Sequence, residues 1–178
     1  MVRGIALLMC VYVVGCGDDA PPLEPTYANV EFVIQRSCGT ASDSCHGGDR
    51  GNANLNFEDL LNDGEPFTNA LVGVESCEYS FLNRIEPGDP ERSWLFIKLT
   101  AAHGRDGQIE FTPDPAWDPG IEPRDDGTFP PSECPRVTRG ELNFGLLMPQ
   151  NPANPQMLPS SEIRLFRDWI LAGAPGPE

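Results

Sequence analysis

Apolar positions along the chain predict a short-helix protein interrupted by loops. Val30, Val33 and Ile34 recur at i, i+3 and i+4 behind Tyr27, with Phe32 broadening the stripe and Thr26 placed to cap. That helix should end through Gln35, Arg36 and Ser37, leaving Cys38 just beyond it. Asn54-Leu55-Asn56-Phe57 alternates before a helical run from Glu58 to Asn62, which Asp63-Gly64 and Pro66 break. Thr68 to Val74 is a second small apolar patch leading to Cys77. The clearest internal helix starts within Arg84 to Glu91, with Asp89 as N-cap and Pro90 as first helical residue. Trp94, Leu95, Lys98 and Leu99 continue it, the lysine stem lying along its edge. Residues 101–140 are punctuated by prolines, with Gln108 to Phe111 offering a short strand. Leu142 to Met148-Pro149 is apolar again. Ser160 or Ser161 should cap the last helix, where Ile163, Phe166 and Ile170 share a face beside Leu165 and Trp169, and Gly173 stops it.

The chain's 178 residues suit one domain, and 19 prolines with 18 glycines make much of it loop. Residues 1–15 stand apart. Arg3, an apolar run from Gly4 to Val14, and Gly15 before Cys16 form a secretory signal, too short for a permanent span. Val13-Val14-Gly15-Cys16 looks like a bacterial lipobox, so Cys16 is the expected lipidation site. Residues 16–26 then form the lipidated N-terminus and a Pro-rich acidic tether, and 27–178 the domain. Cleavage removes one of 12 basic residues and none of the 27 acids, so the net charge moves from −15 to −16. Nucleic acid is therefore an improbable partner, since phosphate binding needs a basic footprint. The expected address is periplasmic or cell-surface, with membrane attachment through the lipid, and a basic protein partner would suit the acidic surface.

Cys10 and Cys16 belong to the signal region, leaving Cys38, Cys45, Cys77 and Cys134. Four cysteines in an exported chain read as two disulfides with three possible connectivities. In Cys38-Gly-Thr-Ala-Ser-Asp-Ser-Cys45-His46, histidine follows the second cysteine directly, as at the end of the haem-attachment signature C-x-x-C-H. Adjacency lets a thioether fix the porphyrin edge while the next residue places its imidazole under the iron. Six residues separate these cysteines instead of two. A Cys38–Cys45 disulfide competes for the same thiols and would contribute about 2.5 kcal/mol by loop entropy. Cys77–Cys134 is the expected second pair, pinning the Pro-rich segment. His103 reads as a surface histidine. Neither Asp43 to Asn56 nor Arg124-Asp125-Asp126-Gly127 has calcium-loop spacing.

In this order, the helix into Cys38…Cys45-His46, the Pro87-Gly88-Asp89-Pro90 stretch, Met148-Pro149 and the closing helix with Trp169-Ile170…Gly173-Ala174 resemble small exported cytochrome c-like domains. The resemblance runs from about Tyr27 to Ala174, with 101–140 as an insertion. It implies a mainly α, cytochrome c-like small helical domain with long Pro/Gly-rich loops, whose terminal helices cross beside haem c. Cys38 and Cys45 would be the thioether positions, His46 the proximal ligand and Met148 the distal one. Met157 is the other methionine of the mature chain but lacks a following proline. The C-x₆-C spacing departs from the family and leaves attachment through Cys45 alone open. Histidine–methionine ligation fills the iron's coordination, which favours electron transfer with a redox protein partner over catalysis. No nucleophile–base pair or carboxylate dyad points to an enzyme. The alternative is a haem-free descendant of that fold, stapled by Cys38–Cys45 and Cys77–Cys134, acting as a binding or structural lipoprotein.

Overall fold

The computed structural model describes residues 22–39, 46–48, 55–79, 81–105, 107–112, 146–149 and 158–178. Residues 1–21, Cys45, Cys134, Met157 and most of the 101–140 segment lie outside them. Five α-helices are present among the described residues: α1 Tyr27–Ile34, α2 Phe57–Asp63, α3 Thr68–Leu71, α4 Trp94–Thr100 and α5 Ser160–Leu171. Strand pairing is confined there to isolated bridges. The mainly helical expectation holds at that level. No helix among the described residues is long and apolar enough to cross a membrane.

Helix α1 begins where Thr26 Oγ1 accepts from the Asn29 N–H at 3.4 Å. It does not stop at Ser37. The chain widens into a π-helical turn, Gln35–Gly39, which carries Cys38 on a helical surface. Val30, Val33 and Ile34 face inward as their spacing requires, but Phe32 is 62% exposed, with the Arg36 guanidinium 5.8 Å from its ring centre. The inward stripe is filled without it.

The principal apolar cluster joins α1 to Leu165, Phe166, Trp169 and Ile170 of α5, with Phe57, Phe67, Leu71 and Ile85 beneath. Pro159 occupies the cap position of α5 and no side chain caps it, so neither Ser160 nor Ser161 plays that part. Docking holds this helix instead. Glu162 accepts from Arg36 at 2.6 Å, and the Ile170 carbonyl accepts from Gly88 N–H at 2.8 Å. Gly173, at φ +93°, ends it.

The expected internal helix is two elements. Asp89 accepts from the Glu91 and Arg92 N–H groups, both at 3.1 Å, but this caps only a 3-10 turn, Pro90–Arg92. The buried Ser93 then turns the chain, donating to the Asp89 carbonyl and accepting from Glu86 N–H, before α4 starts at Trp94. Helix α4 divides the interior. Leu99 belongs to the principal cluster, whereas Trp94 and Ile97 join Tyr79, Leu82, Ile109 and Leu147 in a second one. The segment 108–111 makes only single bridges, Gln108 to Leu146 and Ile109 to His103; it is not a strand, and His103 is half-buried.

Tyr27 ties α1 to the approach of α3. Its oxygen accepts from the fully buried Phe67 N–H at 2.9 Å, and its hydroxyl donates to Glu31 at 3.1 Å. Tyr27→Phe should orphan that amide and cost about 1–3 kcal/mol in urea unfolding, with little change in the m-value. A loss under about 0.3 kcal/mol would show that the amide finds another partner.

Candidate functional site

Three sequence-predicted residues far apart in the chain, Cys38, His46 and Met148, line one cleft. Its cavity is small, about 50 Å³, well short of the roughly 300–1,000 Å³ usual for ligand sites. Its walls are overwhelmingly apolar, with Leu55, Phe57, Leu71, Leu99 and Phe166 among them.

His46 is 3% exposed and held by the start of α2. Asn56 caps that helix, its Oδ1 accepting from the Glu58 and Asp59 N–H groups, while its amide donates to the Gly48 carbonyl at 2.6 Å. Gly48 N–H donates to Glu58 at 2.7 Å, and Phe57 N–H to the His46 carbonyl at 2.7 Å. The same few residues therefore form the helix start and clamp segment 46–48. Within that clamp, His46 Nδ1 is 3.2 Å from the Leu55 carbonyl. A carbonyl only accepts, so the neutral ring carries its proton on Nδ1 and its lone pair on Nε2, the arrangement a metal-binding imidazole needs. The edge of Phe57, 5.5 Å between ring centres, fixes the ring plane further.

Met148 is positioned by α4. Its N–H donates to the Lys98 carbonyl at 2.8 Å, one of the four acceptors a helix C-terminus leaves without intrahelical partners. Leu147 N–H donates to the Gly107 carbonyl at 2.9 Å. Cys38 is carried by the π turn, and its alternative bridge to Cys45 involves a residue outside the described ones. Cys77 is disulfide-bonded to a cysteine outside the described residues, so its expected pairing with Cys134 lies beyond them.

The sequence reading missed the cleft's charged groups. Lys98, expected along an exposed edge, is 1% exposed, with Nζ 3.0 and 3.1 Å from the two Glu78 oxygens and 5.8 Å from the Trp94 ring centre. Trp94 Nε1–H donates to the same carboxylate at 2.9 Å. Burial pulls the Lys98 ammonium below its ordinary range, and Glu78 partly opposes that shift. Burial likewise lowers Arg84, which donates to the Ala70 carbonyl at 2.8 Å. A lysine inside Trp-Leu-Phe-Ile-Lys-Leu was the available signal, since a charge in an unbroken apolar run needs a partner or an exit.

Among the described residues no group of three or more His, Cys, Asp or Glu could hold a metal ion. His46 and Met148 are soft to borderline donors that suit iron already held by a macrocycle. The apolar walls suit such a group in chemistry, but a cavity of about 50 Å³ would have to widen to admit it. The chain matches no family model, no curated protein and no solved structure.

Glu78→Ala should strand the buried Lys98 charge and destabilise the protein by about 3 kcal/mol, whereas Lys98→Met, which leaves the Glu78 side chain 20% exposed, should cost less. The pH dependence has a defined sign. With the folded pKa of Lys98 below 10.5, the unfolded chain binds more protons between those two values, so wild-type stability should gain on Lys98→Met as pH rises through that window. Urea titrations of both proteins across alkaline pH test this; a gain on the mutant's side would contradict it.

Proposed function

We propose that this chain is a membrane-tethered c-type haem protein of cytochrome c-like fold that transfers electrons. The observation that carries the reading is the convergence of His46, Met148 and the Cys38 thiol on one apolar cleft. When bound there, haem supplies a one-electron iron couple. The residues do the rest. His46 would bind iron through Nε2, with its Nδ1–H donating to the Leu55 carbonyl. Met148 offers a thioether, which favours ferrous iron and raises the potential. Cys38 and Cys45 provide sulfur for thioether attachment, with Cys45 alone sufficient if the intervening six residues prevent the double link. The apolar walls keep water from the ligands and limit reorganisation around a change of charge.

If His46 and Met148 both held the iron, no coordination site would remain for substrate, and the reading is a carrier and not an enzyme. Cys16 would anchor it by lipid on the periplasmic or cell-surface side, near a redox protein with a basic docking face. Cys77 and Cys134 would pin the 101–140 insertion.

Variants made alongside a haem-attachment pathway test the ligand assignment. His46→Ala should lose stable low-spin haem. Met148→Ala should retain haem, become high-spin when oxidised and show a lower potential. An unchanged spectrum in Met148→Ala would refute that ligand and favour Met157. Cys16→Ser should release the protein from the membrane fraction; wild-type protein found soluble would remove the tether from the account.

A further inference from the structure

Trp94 lines the cleft and also belongs to the second apolar cluster. The ring centres of Tyr79 and Phe111 lie 5.6 and 5.4 Å from its own, and Phe81 continues from Tyr79 at 5.6 Å. Each is an ordinary aromatic contact, but together they form an unbroken series. Phe81 and Phe111 are half-buried, so the series runs from the cleft wall to the surface. At the polar edge of the indole, Nε1–H donates to Glu78 Oε2 at 2.9 Å, and Lys98 Nζ is 3.0 Å from the same oxygen. That ammonium also stands 5.8 Å from the ring centre. The Glu78 side chain keeps 20% of its surface exposed, so its carboxylate meets water as well. These contacts suit one-electron oxidation of the ring. An oxidised indole is positive, and its N–H becomes a strong acid. The Lys98 charge repels the positive ring, and Glu78 is placed to take the proton.

We propose that Trp94 and Glu78 form a proton-coupled redox pair that draws oxidising equivalents out of the cleft. A strong one-electron oxidant takes one electron from the indole and is itself reduced. The Nε1 proton passes to the Glu78 carboxylate, leaving a neutral indolyl radical and a carboxylic acid. Glu78 then gives that proton to water, which returns the Glu78–Lys98 pair to its starting charge. One electron from a surface reductant of the ascorbate class, passed along the aromatic series, and one proton from water restore the indole. The route spares Met148 in the same cleft, whose thioether is otherwise open to oxidation to the sulfoxide. The pair itself does not depend on haem; its service to an iron couple in the cleft rests on the function proposed above.

The test uses the full chain made without haem attachment, oxidised by photogenerated tris(bipyridine)ruthenium(III) and followed by transient absorption. The chain has three tryptophans, so Trp94 is read as the difference between each protein and its Trp94→Phe counterpart. Wild type should show a Trp94 signal that becomes the neutral radical at a rate independent of buffer concentration. Glu78→Gln keeps an acceptor for the indole N–H but removes the base. Proton loss should then slow about a hundredfold, the low end of what a positioned base supplies, and the radical cation should persist. Glu78→Gln also leaves the Lys98 charge beside an amide, so Glu78→Gln combined with Lys98→Met repeats the measurement without that charge. No difference between wild type and Trp94→Phe would overturn the proposal, as would unchanged proton loss in the Glu78 variants. A neutral Trp94 radical in a chain that never takes up haem would leave the pair standing without the electron-transfer role. Haem uptake with no Trp94 signal would do the reverse.

Discussion

A buried ammonium is expensive to hold, and Lys98 sits at 1% exposure where two apolar clusters meet. Its charge requires Glu78, and Glu78 in turn fixes the Trp94 indole and the 72–86 loop. Its carbonyl is the acceptor that locates Met148. One residue therefore sets the position of a proposed ligand through its backbone and the electrostatics of the cleft through its side chain. Apolar residues of similar volume in place of both Lys98 and Glu78 would serve stability as well or better. Retaining a cation beside a cleft that carries a thiol, a disulfide, an imidazole and a thioether is easier to understand as a requirement of the site.

The other side of the cleft is built by a different economy. Asn56 and Phe57 begin α2 and, through their remaining donors, hold segment 46–48 in place. Leu55 then fixes the His46 tautomer. The imidazole is thus oriented by the groups that start a helix. Both proposed ligands are placed by backbone hydrogen bonds at helix ends, where amides and carbonyls lack intrahelical partners.

Local signals were legible in the sequence where the responsible atoms lie within a few residues. Thr26 and Asp89 act at the positions their chemistry indicates, Gly64 takes the left-handed turn at φ +70° after α2, and Gly173 ends α5. Failures came where tertiary contacts decide. Phe32 fits the helical stripe of α1, but the stripe is already filled by Val30, Val33 and Ile34. Ser160 and Ser161 are good caps in isolation, yet packing against α1 and the Gly88 amide hold α5 without them. Lys98 looked like an edge residue because its partner is twenty positions away. Order along the chain singled out Cys38, His46 and Met148, but only the fold brings them to one cleft.

The central claim is that this cleft holds covalently attached haem between His46 and Met148, and an absorbance spectrum tests it most directly. Wild-type protein produced with a working haem-attachment pathway should be red, with a low-spin c-type spectrum when reduced and a weak sulfur-to-iron band in the far red when oxidised. Colourless protein, with Cys38 and Cys45 found unmodified or joined to each other by mass spectrometry, would contradict it.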